Sequence, residues 1–191
     1  MKTPFYTGVG DAGMTNTGKL HLPKSDAVFE LLGSLDECNC WLGYAAGEAN
    51  KLHNEKQIHT WLIRLQQTVF IAQAEVAALA FSYGTYTDSP RTFPYLRKKH
   101  ITLLQRIIRH IDGEYPSLQH FILPGGSELS SRCDIARTIA RRAERAAIAV
   151  QGTYSFSPTF LQYLNRLSSV LFALARYANF RAGVGENSPT Y

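Results

Sequence analysis

Apolar residues recur at helical spacing along five long stretches of the chain. From about Asp26 to Asn50, Val28, Leu31, Leu32, Leu35, Leu42 and Ala46 mark one face, and Ser25 is placed to cap it. From Gln57 to Phe81, Leu62, Leu65, Val69, Phe70, Ala72, Val76 and Leu79 form a broad stripe with Gln66, Gln67, Gln73 and Glu75 among them. A third helix is predicted from Pro94 to Asp112 on Leu96, Ile101, Leu104, Ile107, Ile108 and Ile111, with Gly113 as its stop. The fourth opens at Ser127, an N-cap with Glu128 in the first turn where the dipole favours an acid, and ends at Gly152. Ser157-Pro158 opens the fifth, which carries Phe160, Leu161, Leu164, Leu167, Leu171, Leu174 and Ala178 on its core face. Residues 1–25 show no such period and are rich in Gly and Thr, and residues 183–191 form a polar tail expected to fray. The pattern predicts an all-α, five-helix up-and-down bundle over 26–182, preceded by a loop and followed by a flexible tail.

The fourth helix sorts its side chains by chemistry. At about 100° per residue, Arg137, Arg141 and Glu144 fall within an arc of about 60°. Ile135, Ile139, Ala143, Ala146 and Val150 occupy another face and are expected to pack. Guanidinium groups stay charged and make planar, bidentate contacts with phosphates and carboxylates. The same residues also suit a solvated face with Glu144 as a helix partner, because exposed ion pairs are common and weak.

Bulk properties narrow the classes. A chain of 191 residues with 45% hydrophobic residues suits one folded domain. Its net charge of +5 suits anionic ligands such as nucleotides, and equally a weak nucleic-acid binder. No recognised nucleic-acid motif and no basic-aromatic stripe is present. Cys38, Cys40 and Cys133 lack metal spacing and read as reduced thiols of a cytoplasmic protein. No secretory signal and no membrane-length apolar run is seen. The six histidines show no paired ligand spacing, and no Ser/His/Asp arrangement is legible, which suits a reaction that needs no protein base.

Near the start, Gly8-Val9-Gly10-Asp11-Ala12-Gly13 matches G-x-G-x-x-G, but a dinucleotide fold needs a strand before it and a helix after it. Gly13 to Lys19 approaches a P-loop, but Leu20 stands where a Ser or Thr for magnesium belongs. Both folds are rejected. Glycines still let backbone N–H groups curl around an anion, and Thr7, Thr15 and Lys24 add donors.

Taken together, YTGVGDAGMT, ELLGSLDECNCWLG, FILPGG, ARxxxRRAER and FLQYLNRLSSVLFALAR resemble the PduO-type ATP:cob(I)alamin adenosyltransferases, in that family's order, from Tyr6 to about Arg181. The resemblance implies a ferritin-like bundle assembled as a homotrimer, with ATP held between neighbouring subunits. It implies that Thr7, Gly8, Gly10, Asp11, Gly13, Thr15, Lys24 and Arg141 hold the triphosphate. Glu144 would orient Arg141 or reach Mg2+, and Asn165, in an Asn-Arg pair with Arg166, would contact the nucleoside. Asp36 would pair with Arg137 across the subunit boundary, and Phe121 would press on the corrin and exclude the lower axial ligand of cobalt. The implied reaction is attack of cob(I)alamin on the ribose 5′-carbon of ATP, with triphosphate leaving. A cobalamin reductase and an adenosylcobalamin-dependent enzyme are implied partners; nucleic acid and membrane are not. Three departures stand out. No lysine lies between Lys2 and Lys19, where relatives usually supply one within the stretch that is Thr7–Asp11 here. Gln105 stands where Glu is frequent, and Cys133-Asp134 stands where a Leu-His pair is common. The missing lysine leaves open a second reading: a weakly active or non-catalytic paralogue that binds ATP or a corrinoid.

Overall fold

The computed structural model describes residues 8, 10–17, 20–81, 93–116 and 120–190. Seven elements follow one another: β1 (Met14–Thr17), β2 (Leu20–Pro23), α1 (Ala27–Lys51), α2 (Lys56–Phe81), α3 (Lys98–Glu114), α4 (Glu128–Val150) and α5 (Phe160–Arg181). The five predicted helices are present. The loop expected at the start instead contains an antiparallel hairpin, with Met14 opposite Pro23 and Thr17 opposite Leu20. Its strands are four residues each, too short for a period of two to stand out in the sequence. Lys24 N donates to Gly13 O at 2.8 Å and extends the pairing by one bond.

Neighbours in the bundle run α2, α1, α4, α5, α3. Successive pairs in that order are antiparallel except the last: Asn39 on α1 meets Gln73 on α2, Cys38 meets Ala136 on α4, and Glu144 on α4 meets Asn165 on α5. The α4 helix can sit between α1 and α5 because its buried stripe is mostly small: Cys133, Ala136, Ala140, Ala143 and Ala147 are all fully buried. That stripe is rotated from the expected one. Ile135, predicted to pack, is 38% exposed. Phe70, placed in the packed stripe of α2, is 66% exposed.

Helix starts show which signals win locally. The first helix is capped by Asp26, whose Oδ1 takes Val28 N at 2.9 Å, and not by Ser25. Ser127 caps α4 as predicted, accepting from Ser130 N at 3.2 Å. The α3 helix begins at Lys98, four residues later than predicted, and runs through Gly113 to Glu114. The delay has a tertiary cause. The fully buried Glu75 carboxylate accepts Leu96 N at 2.7 Å on one oxygen and Ser157 N at 2.8 Å on the other. These bonds fix the backbone ahead of α3, which is extended at Arg97, and ahead of α5, where Phe160 N donates to Ser157 O in a turn, so Ser157 does not cap the helix. No described helix is long and apolar enough to cross a membrane.

The chain end also departs from expectation. Residues after 182, predicted to fray, fold back on the bundle: Leu123 N donates to Asn187 O at 2.8 Å, and Glu186 bonds Arg176 and Asn179 of α5.

Candidate functional site

The α4 helix carries the site's charges. Arg141 is exposed and has no hydrogen-bond or ion-pair partner among the described residues. One turn further along, Glu144 Oε1 accepts Asn165 Nδ2 of α5 at 3.0 Å. Two residues assigned separate roles are therefore joined across the α4–α5 seam. One turn before Arg141, Arg137 donates Nε to Asp134 Oδ1 at 2.9 Å. Its Nη edge has no partner among the described residues, so it can still take a carboxylate or phosphate. Asp36 of α1 does not touch Arg137 within the chain: its Oδ1 accepts Gln73 Nε2 at 3.1 Å and its side chain is exposed.

The start of the chain forms the second part. Thr7 lies outside the described residues. Gly8 and Gly13 adopt positive φ, 72° and 76°, where glycine is favoured. Asp11 N bonds Gly8 O and Gly13 N bonds Gly10 O, which curls the segment. Lys24 Nζ donates to Gly10 O at 2.7 Å, so the ammonium sits over the turn. Asp11 is exposed and Thr15 half-buried on β1. A backbone turn with an ammonium above it suits an anion.

The third part is the loop at residues 121–127. Phe121 is 81% exposed, the most exposed large apolar side chain described, and Leu123 is 49% exposed. An open surface depression of about 340 Å³ borders the loop, lined by Pro124, Gly125, Asp134, Ile135, Arg137 and Thr138. It joins the Phe121 loop to Arg137 and gives exposed Ile135 a place at the site. A larger groove of about 620 Å³ lies between α3 and α5, lined in part by Gln105, Arg109 and Arg166. Of the predicted constellation it touches only Arg166, so size alone does not mark the chemistry.

Sequence reasoning missed the group that fixes the loop. Arg176, 1% exposed, donates Nη2 to Asp134 Oδ2 at 2.5 Å and Nη1 to Glu186 Oε2 at 2.7 Å. Asn179, also 1% exposed, accepts Ser127 N and donates to Gly125 O, both at 2.8 Å. Gly126 has φ 105°, and a Cβ there would come closer than 3.0 Å to the Asn179 amide, so only glycine fits. Arg176 and Asn179 lie among the apolar positions of α5, and a polar residue at core spacing was the available signal. The Cys133-Asp134 departure also gains a meaning. Cys133 packs in the core, with burial pushing its thiol up to about 12, and Asp134 becomes the carboxylate shared by Arg137 and Arg176. Cys38 is likewise raised to about 12 by burial. Neither thiol is a nucleophile at neutral pH.

Among the described residues, no three His, Cys, Asp or Glu side chains gather to hold a metal ion.

The profile of the cobalamin adenosyltransferase family matches residues 5–178. A corrinoid adenosyltransferase from Bacillus subtilis (strain 168) is 34% identical over 182 residues, covering 95% of this chain and 90% of the relative. The corrinoid adenosyltransferase MMAB of Homo sapiens is 34% identical over 188 residues, covering 95% and 73%. A variant PduO-type ATP:corrinoid adenosyltransferase from Lactobacillus reuteri, solved in complex with cobalamin and ATP, matches with a TM-score of 0.84 and 31% identity over 97% of this chain and 96% of that one.

Proposed function

Because the chain belongs to the cobalamin adenosyltransferase family, we propose that it transfers the 5′-deoxyadenosyl group of ATP to the cobalt of cob(I)alamin and releases triphosphate. The observation that carries this reading is Arg141, without a partner among the described residues and one turn before Glu144 of the Glu144–Asn165 pair. In the step, the cobalt electron pair forms the Co–C5′ bond, the C5′–O5′ bond breaks, and its electrons pass to the leaving triphosphate. No proton moves. The protein's work is to align the partners and to offset charge on the departing oxygen.

Arg141 and Lys24 supply that charge, with the curled turn from Gly8 to Gly13 adding backbone donors. Asn165 holds the nucleoside, while its partner Glu144 orients it. Mg2+, where bound, neutralises phosphate charge, and Glu144 would be its protein ligand. The exposed ring of Phe121 covers the lower face of the corrin, and a cobalt without a lower ligand is easier to reduce from Co(II) to Co(I). A separate reductase supplies that electron, and an adenosylcobalamin-dependent enzyme consumes the product. We read the protein as cytoplasmic from its unpaired thiols.

The same proposal includes a homotrimer with ATP between subunits, where Asp36 of one subunit meets the free Nη edge of Arg137 in the next. A double-mutant cycle of Asp36→Asn with Arg137→Ala, read as ATP affinity, is expected to show coupling above about 0.5 kcal/mol. Strict additivity would separate the two residues.

The missing lysine favours a second reading, the weak or non-catalytic paralogue. Anaerobic conversion of chemically reduced cob(I)alamin to adenosylcobalamin with excess ATP distinguishes them. Val9→Lys is expected to raise a measurable parent rate by about tenfold, the value of one charge-assisted contact at its lower end. Gly8→Lys is the poorer test, because φ at Gly8 is 72° and lysine there would be strained. No product from the parent or from Val9→Lys, with both folded, would establish the paralogue.

A further inference from the structure

A loop that presents an aromatic ring to a flat ligand must have its backbone held from several sides. The Phe121 loop is held from three. From α4, Asp134 Oδ2 accepts Gly125 N at 3.2 Å and Ser130 Oγ donates to Gly125 O at 3.0 Å. From α5, Asn179 holds Gly125 and Ser127, and Arg176 Nη1 reaches Leu123 O at 3.4 Å. The chain end supplies the third side: Asn187 O accepts Leu123 N, and Glu186 bonds both Arg176 and Asn179. Arg176 is the hub, with Asp134 and Glu186 on its two nitrogens and side-chain exposures of 6% and 14% for the two acids. Asp134 has a second duty that Glu186 lacks, since its other oxygen holds Arg137.

We propose that Glu186 and Asp134, acting through Arg176, are positioning residues for the Phe121 loop. The segment at residues 183–190 is then a working part of the corrin side of the site, and Asp134 alone also sets Arg137 on the nucleotide side. This inference rests on the corrinoid-transfer reading above. It assigns a role to residues that carry no chemistry themselves. Glu186 bonds none of Arg137, Arg141, Glu144 or Asn165 directly, and reaches Arg137 only through Arg176 and Asp134, so disturbing it should affect the corrinoid more than ATP.

The test compares the full-length parent with Glu186→Ala, Glu186→Gln and Asp134→Asn. Amide exchange at Leu123 and Gly125 reports the loop directly, without activity. Glu186→Ala is expected to speed exchange at both amides by about tenfold, because a local opening loses one charge-assisted bond. It should raise KM for cob(I)alamin by about fivefold or more while KM for ATP stays within about twofold. It should also weaken the absorption change that marks loss of the lower ligand from cob(II)alamin. Glu186→Gln keeps an oxygen acceptor and should recover part of both effects. Asp134→Asn should raise both KM values. Unchanged exchange at Leu123 and Gly125 in Glu186→Ala overturns the inference, and so does an equal rise in the two KM values. If the parent forms no adenosylcobalamin, the functional reading fails, while the exchange data still decide whether Glu186 positions the loop.

Discussion

Arg176→Leu is expected to destabilise the fold by about 3–5 kcal/mol, the usual cost of removing one partner from a buried charge pair. The guanidinium is 1% exposed and is the common donor to Asp134 and Glu186. Leucine fills much of the volume but leaves two carboxylates facing each other with no cation between them. One backbone tether of the 121–127 loop, from Arg176 Nη1 to Leu123 O, goes with it. Denaturant unfolding followed by circular dichroism should show a lower midpoint at an unchanged slope. Arg181→Leu is the control. Arg181 pairs with Glu55 at 3.3 Å from a side chain that is 36% exposed, so its loss should cost less than that of Arg176, whose guanidinium is shut away from water. A cost for Arg176→Leu no larger than for this control would show that the hub does not hold the fold. Replacing all three charges together, as Arg176→Met with Asp134→Leu and Glu186→Leu, should recover part of the loss, because no carboxylate is left unpaired at the hub, while the Asp134–Arg137 bond is lost with it.

Arg141→Ala should leave stability within about 0.5 kcal/mol of the parent, since the side chain is exposed and unpartnered. Its effect belongs to the reaction. ATP affinity and single-turnover adenosyl transfer should each fall by about tenfold or more, because charge-assisted contacts are worth about 1.5–3 kcal/mol. The rate should fall further than the affinity, since charge grows on the leaving oxygen in the transition state. Arg141→Lys should recover binding better than rate, an ammonium being unable to form the planar fork. Calorimetric titration with magnesium-ATP and rapid-quench adenosylation measure the two quantities. Unchanged affinity and rate in a folded Arg141→Ala protein would remove the residue from the site.

The bundle was legible because helical periodicity survives over twenty or more residues, where a few misplaced side chains do not obscure it. Ser127 was found as a cap because its partner, Ser130 N, lies three residues away. What failed depended on distant partners. The late start of α3 follows from Glu75, 21 residues before Leu96, and the turn before α5 from the same carboxylate, 82 residues before Ser157. Gly113 was read as a stop, yet an exposed glycine is tolerated in a helix at a cost of about 1 kcal/mol. The hairpin was missed because four-residue strands carry almost no pattern.

At the site, Glu144 and Asn165 were found separately through motif wording, and the structure joins them. The Arg176 hub was not found. Its partners lie 42 residues back and 10 forward, and a charge is ordinarily assigned to solvent unless a partner is known. Asp134 was noticed only as a departure from the usual Leu-His pair, and its meaning required the fold.

Glu75 bears on how the chain folds as it is made. The residue leaves the ribosome with the second helix, but one of its two amide partners is synthesised 82 residues later. Until Ser157 emerges, one carboxylate oxygen of Glu75 lacks its amide partner and is left to water. The α2 surface around Glu75 is therefore completed only when the segment ahead of α5 docks, and an N-terminal fragment lacking that segment should be less stable than the whole bundle. The single carboxylate thus couples the docking of two segments far apart in the chain to the burial of one charge, a link that neither hydrophobic periodicity nor helix length would make.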